Sequence, residues 1–213
     1  LRFVAALLVV LFHSAAFLES GGQVLGPLFS VGHYTGFAGV DLFFVISGFI
    51  MAWTTSGASG PADALRFMRR RFARIYSGYW LFFLIALALI YLLEAKRLSG
   101  IDFFRSFFLL PADIGQLLIP VSWTLIFELF FYVLFGLLIA LVGERRPFWT
   151  RTIFCIALAW FLYSQFIRRT YAPGNIESMS VLENYWAFPF LLQFLPGTML
   201  ADWLHTHPVR YAW

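Results

Sequence analysis

The chain has 213 residues, of which 61% are hydrophobic, 21% aromatic and only 12% charged; a typical soluble domain carries about a quarter charged residues. With a mean hydropathy of +0.80, this composition excludes a disordered segment and a small soluble domain, which must leave much of its surface in water. The formal net charge of +4 comes from 15 basic and 11 acidic residues, and their placement between apolar runs excludes a basic nucleic-acid-binding domain. A single cysteine, Cys155, excludes an internal disulfide and any multi-cysteine metal site. The first residue is Leu1 rather than Met, so the sequence reads as a stretch taken from inside a longer chain.

Apolar runs approaching the length of a bilayer span predict six transmembrane helices: Phe3 to Leu18, Phe37 to Trp53, Tyr76 to Leu93, Leu117 to Val142, Ile153 to Ile167 and Tyr185 to Leu204. Small residues at Ser14-Ala15-Ala16 leave a signal-peptide reading of the first run open, but the five further spans favour a membrane helix. The fold class is therefore all-α, a polytopic transmembrane helix bundle in one domain over 1–213. Basic residues set the orientation. The side bearing Arg2, Arg66, Arg69, Arg70, Arg71, Arg74, Arg145, Arg146, Arg151 and Arg210 is placed in the cytoplasm. The opposite side bears Lys96, Arg97, Arg105, Arg168 and Arg169, on the longer loops Glu19 to Gly36, Glu94 to Gln116 and Arg168 to Asn184. In the first cytoplasmic loop, a turn over Thr54 to Pro61 precedes Asp63, which can cap a short helix. Leu65, Met68, Phe72 and Ile75 fall on one face of that helix and arginines cover the rest. This predicts a basic amphipathic helix over 62–75 lying in the interface rather than spanning it.

An ionisable group inside a span costs at least about 2.5 kcal/mol on insertion scales and calls for a reason. Arg2 and His13 are eleven residues apart, on one face of the first span and separated by about 16 Å along its axis. Asp41 opens the second span from the outer side. Glu128 lies about a third of the way down the fourth span from outside, going by the rise per residue. His13, Asp41 and Glu128 thus fall at similar depth, which makes them candidates for a buried polar site. Each has a plainer role open to it. Arg2 can snorkel to the interface, His13 can bond a backbone carbonyl, and Asp41 can cap the second helix. Glu128 can pair with an arginine, the five-arginine loop can serve only as an orientation signal, and Ser47-Gly48 can simply let two helices approach closely. His33, His205 and His207 are assigned no role.

An imidazole moves protons at neutral pH, and a carboxylate fixes its tautomer or stabilises its cation. The sequence holds no Gly-x-Ser-x-Gly, no Walker loop, no His-Glu-x-x-His and no Cys/His ligand set, so no metal site is expected. Arginines three apart, such as Arg71 and Arg74, can grip a phosphate.

Four motifs appear together. They are Leu1 to His13 with Arg2 and His13, Gly39-Val40-Asp41-Leu42-Phe43-Phe44-Val45-Ile46-Ser47-Gly48-Phe49-Ile50, Arg70-Arg71-Phe72-Ala73-Arg74-Ile75 running on to Tyr79-Trp80, and Ser122-Trp123-Thr124-Leu125 followed by Glu128 and Phe131-Tyr132. In this order the chain resembles the membrane-bound acyltransferase-3 family, and is most similar to the branch associated with exopolysaccharide production. The motifs cover residues 1 to about 132; Phe194-Leu195-Pro196-Gly197 fits more loosely.

The resemblance implies an enzyme of the plasma (bacterial inner) membrane, of about ten spans in all, that acylates an extracytoplasmic glycan. It implies an acyl-CoA co-substrate, commonly acetyl-CoA, with no bound cofactor. The implied partners are the donor, the glycan acceptor, membrane lipids and polysaccharide-assembly proteins. His13, Glu128 and Arg2 match the family's catalytic positions and Arg71 and Arg74 its donor-binding ones, with Asp41, Ser122 and Trp123 in supporting places. There are two departures. Ser77 stands where the family usually has proline, which is expected to loosen the start of the third helix, and Gln193 stands where it often has glutamate. The rival readings are a transporter or flippase for a lipid-linked sugar and a non-catalytic assembly partner.

Overall fold

The computed structural model describes residues 1–22, 26–166 and 190–207, and the described residues form helices, turns and short connections with no strand. The chain divides into two compact units, Leu1–Ser56 with Phe190–Trp213, and Gly57–Pro189.

The first unit holds α1 (Arg2–Ser20), α2 (Pro27–Thr35), α3 (Phe37–Thr54) and α8 (Phe190–Thr206). Proline at the first turn of α2 costs no hydrogen bond, since that N–H has no helical partner anyway. Gly36 ends α2 and begins α3, so one residue separates them. A Cβ on Gly39 would sit 2.6 Å from the Ala5 carbonyl oxygen and 3.0 Å from Leu8 Cβ, which shows how closely α3 packs on α1. On the other side of α3, Gly48 faces the Phe194 backbone of α8, and Gly197 of α8 faces Val45 and Phe49. Small residues allow this backbone-to-backbone approach, which is how helices associate where lipid removes the hydrophobic drive. Phe44 packs on Phe190 at 5.0 Å, and Trp53 stacks on His205 at 4.1 Å. The expected close approach at Ser47-Gly48 is therefore made, with α8.

The second unit holds α4 (Pro61–Leu93), α5 (Phe103–Phe108), α6 (Trp123–Leu141) and α7 (Arg146–Phe166). Helices α4 and α6 are antiparallel. Gly60 N–H donates to the Ile139 carbonyl at 3.0 Å, Met68 lies against Gly136, and Phe67 contacts Tyr132 and Phe135. Arg146 opens α7 and is buried over the Phe135 ring, 5.1 Å from its centre.

The connection from α4 to α6 folds back along α4. The Tyr76 hydroxyl donates to the Phe108 carbonyl at 2.8 Å, the Tyr79 hydroxyl to the Ser106 carbonyl, and the Trp80 indole N–H to the Phe107 carbonyl at 3.2 Å. These side chains donate to carbonyls at the C-terminal end of α5, where helical partners run out; the Ser106 carbonyl also accepts the Leu109 N–H at 3.4 Å. Buried Ser106 in turn accepts the Leu118 N–H at 3.0 Å, tying the connection to the approach of α6.

Several expectations change. Residues 62–75 are helical but continuous with the third predicted span, in one helix of 33 residues, about 50 Å long at the usual rise. Ser77 keeps the backbone N–H that proline lacks, so the helix runs through this point unbroken rather than loosened. Asp63 lies inside the first turn instead of capping it, and its carboxylate accepts the Ser59 N–H at 3.1 Å. The first outer loop carries α2. Arg146, counted from the sequence among the basic residues of the cytoplasmic side, opens α7 and is buried. Arg2–Ser20, Pro61–Leu93 and Pro120–Leu141 are long and apolar enough to cross a membrane, while Ala38–Thr54 is a shorter apolar helix. The start of the sixth predicted span, the Arg168 to Asn184 loop and Arg210 lie outside the described residues.

Candidate active site

The predicted site residues divide between the two units. In the first, Arg2 begins α1 half-buried, and its Nε is buried without a hydrogen-bond partner among the described residues. His13 is exposed on the same helix. Its ring meets the edge of Phe12 at 5.4 Å, and within this unit it makes no hydrogen bond among the described residues.

Asp41 lies in the second turn of α3, past the position where it would cap the helix. Its Oδ1 accepts a 2.8 Å hydrogen bond from Gln193 Nε2 of α8. The carboxylate therefore joins two helices instead of ending one, and it does not meet His13 in a hydrogen bond. In the sequence Gln193 stands out only as a departure from a family pattern. The signal that points to its role is an amide in an apolar helix, a common source of interhelical bonds. Gln193→Glu would replace the donor by a second carboxylate beside Asp41. We expect it to lower the thermal unfolding temperature in detergent, and Asp41→Asn in the same chain to restore much of the loss. An unchanged temperature in Gln193→Glu would show that the Asp41–Gln193 bond contributes little.

In the second unit, Glu128 and Tyr132 stand four apart on α6, where helix geometry makes side chains neighbours. The Tyr132 hydroxyl donates to Glu128 Oε1 at 2.6 Å. Phe67 and Arg71 stand four apart on α4. The Arg71 guanidinium carbon lies 5.5 Å from the Phe67 ring centre and 5.9 Å from that of Tyr132, within cation–π range. Arg71 is half-buried, whereas Arg74 is exposed. Ser122 is buried just before α6 begins, and Trp123 meets the edge of Phe127 at 6.0 Å.

This register brings together residues that the sequence reading sets apart. The sequence puts Arg71 in a cytoplasmic interfacial helix and Glu128 toward the opposite side. The structure places Arg71 beside Tyr132, about 14 Å inside the end of α6 at Leu141 and one turn from Glu128. The reason is the offset of α4, whose arginine-bearing half lies along the apolar α6. Tyr132 belongs to the fourth motif without a role assigned from sequence, although its spacing from Glu128 points to one.

Residues 1–212 match the family model of acyltransferase-3, described as an acyltransferase domain. The chain belongs to this family. It is 30% identical over 227 aligned positions to acyltransferase MdmB of Streptomyces mycarofaciens, covering 97% of the chain and 56% of that protein. It is 39% identical over 113 positions to exopolysaccharide production protein ExoZ of Rhizobium meliloti (strain 1021), covering 49% of the chain and 35% of that protein. The chain thus spans about half or less of the length of these relatives. No solved structure matches it. Family membership accords with the four sequence motifs and with apolar helices suited to a membrane.

Proposed function

We propose that this chain is part of a multi-pass O-acyltransferase of the plasma membrane. In this reading it contributes about six spans. It moves an acyl group, acetyl in the first instance, from cytoplasmic acyl-CoA to a hydroxyl of an extracytoplasmic polysaccharide or lipid-linked glycan. One observation carries the proposal: the family match covers residues 1–212 and so takes in every residue given a role. The names of the relatives, an acyltransferase and an exopolysaccharide production protein, support the reaction class and the kind of acceptor.

In the proposed reaction His13 is the base or a transient acyl carrier; as base, an imidazole nitrogen takes the proton of the sugar hydroxyl as its oxygen attacks the thioester carbonyl. The carbon–sulfur bond then breaks, and the imidazolium returns the proton to the departing coenzyme A thiolate. Glu128 stabilises or orients the histidine. The exposed Arg74 suits the phosphates of the donor, with Arg71 behind it on the ring faces. Arg2 holds the inner end of the donor path, its unpartnered Nε being a donor that an anionic group would satisfy. Asp41 orders α3 through Gln193, and Ser122 and Trp123 support the start of α6.

The test uses the whole protein that carries this chain, in membrane vesicles, with radiolabelled acetyl-CoA and a cell-envelope glycan fraction. Label is expected in the polysaccharide. A folded protein that transfers no label, does not bind coenzyme A and is stabilised by a lipid-linked glycan would be a transporter instead.

A further inference from the structure

We propose that Tyr132 is the positioning residue that couples the cationic donor site to Glu128, an inference that rests on the acyl-transfer reading above. Four side chains carry it, as two pairs on facing helices: Phe67 with Arg71 on α4, and Glu128 with Tyr132 on α6. The two pairs meet at the Tyr132 ring, which lies under Arg71 and is held edge-on by Phe67 at 6.2 Å. That ring is 2% exposed, so neither lipid nor water offers the phenol another partner.

A phenol has one proton to donate. Tyr132 donates it to Glu128, which holds the carboxylate in one arrangement. The ring face meanwhile carries Arg71. Either function can be removed alone. Phenylalanine keeps the ring and loses the hydroxyl, and leucine loses both. Arg71 on the ring face and Glu128 on the hydroxyl thus meet in one side chain.

The test compares Tyr132→Phe, Tyr132→Leu, Glu128→Gln and the double variant Tyr132→Phe/Glu128→Gln in the whole protein in vesicles. Acyl transfer is measured with acetyl-CoA, and binding with coenzyme A. Tyr132→Phe is expected to lower kcat by about 10- to 100-fold, the effect of one lost hydrogen bond to a charged group. The KM for acetyl-CoA and the Kd for coenzyme A should stay within about twofold, because the ring under Arg71 remains. Tyr132→Leu should also weaken coenzyme A binding, by about fivefold, the scale of one cation–π contact. The double variant should be no slower than Glu128→Gln, since the Tyr132 hydroxyl acts through the carboxylate that glutamine has already replaced.

Tyr132→Phe at the wild-type rate beside a slow Glu128→Gln would overturn the inference and leave the acyl-transfer reading standing. Glu128→Gln at the wild-type rate would overturn both the inference and the role given to Glu128. A folded wild type that neither transfers label nor binds coenzyme A would overturn the whole reading. Tyr132→Phe keeps the packed ring, so the test does not depend on Tyr132→Leu folding.

Discussion

Replacing His13 by alanine is expected to lower acyl transfer by about 10²- to 10⁴-fold, the usual contribution of a positioned acid–base group. The same variant should fold and bind coenzyme A as the wild type does. His13 is exposed, and within its unit it makes no hydrogen bond among the described residues. Within its unit, truncation therefore leaves no cavity and strands no buried partner, so stability should be nearly unchanged. The two expectations together separate a chemical role from a structural one. The measurement is initial-rate transfer of labelled acetyl groups in vesicles, with thermal unfolding and coenzyme A binding on the same samples. Transfer at the wild-type rate by His13→Ala would remove the imidazole from the mechanism, whatever the other variants do.

The second large effect is on folding. Gly48→Val should separate α3 from α8, because the new Cβ would collide with the Phe194 backbone. Gly197→Val meets Val45 and Phe49 backbone in the same way from the other helix. The obstructing atoms are backbone, which cannot swing aside as a flexible side chain can, so each change should cost at least the roughly 1–3 kcal/mol of ordinary overpacking. It also pulls Gln193 away from Asp41, since that bond crosses the same pair of helices. Gly78→Ala supplies the contrast. Gly78 lies in the middle of α4, and a Cβ there would have nothing within 4 Å outside its own helix turn. Alanine at this position should stabilise by up to about 1 kcal/mol through helix propensity. Thermal unfolding in detergent measures all three, and a Gly48→Val protein as stable as wild type would show that the close approach of α3 and α8 is dispensable.

How much of the fold and site is legible in the sequence depends on the range of the interaction. The first span, expected over Phe3 to Leu18, is Arg2–Ser20. The fourth, expected over Leu117 to Val142, has its helix at Trp123–Leu141. Both are long apolar runs, and in such runs backbone hydrogen bonding within the helix decides the structure. The Glu128–Tyr132 bond is equally within reach, because four residues on one helix make neighbours without any fold. Helix α2 is hidden, since nine residues beginning with proline between glycines read as readily as a loop.

Composition and local spacing determined that this chain is helical, suited to a membrane and equipped with the arginine, histidine and carboxylate motifs of its family. Those properties depend on transfer energies and on the helical repeat, both of which act over a few residues. The tertiary structure decided which polar groups meet. Asp41 pairs with Gln193, 152 residues away, and Arg71 lies on the Tyr132 ring because α4 is offset along α6. Such pairings follow from the register between helices. Glycine contacts and ring packing set that register, and no single helix carries it in its own sequence.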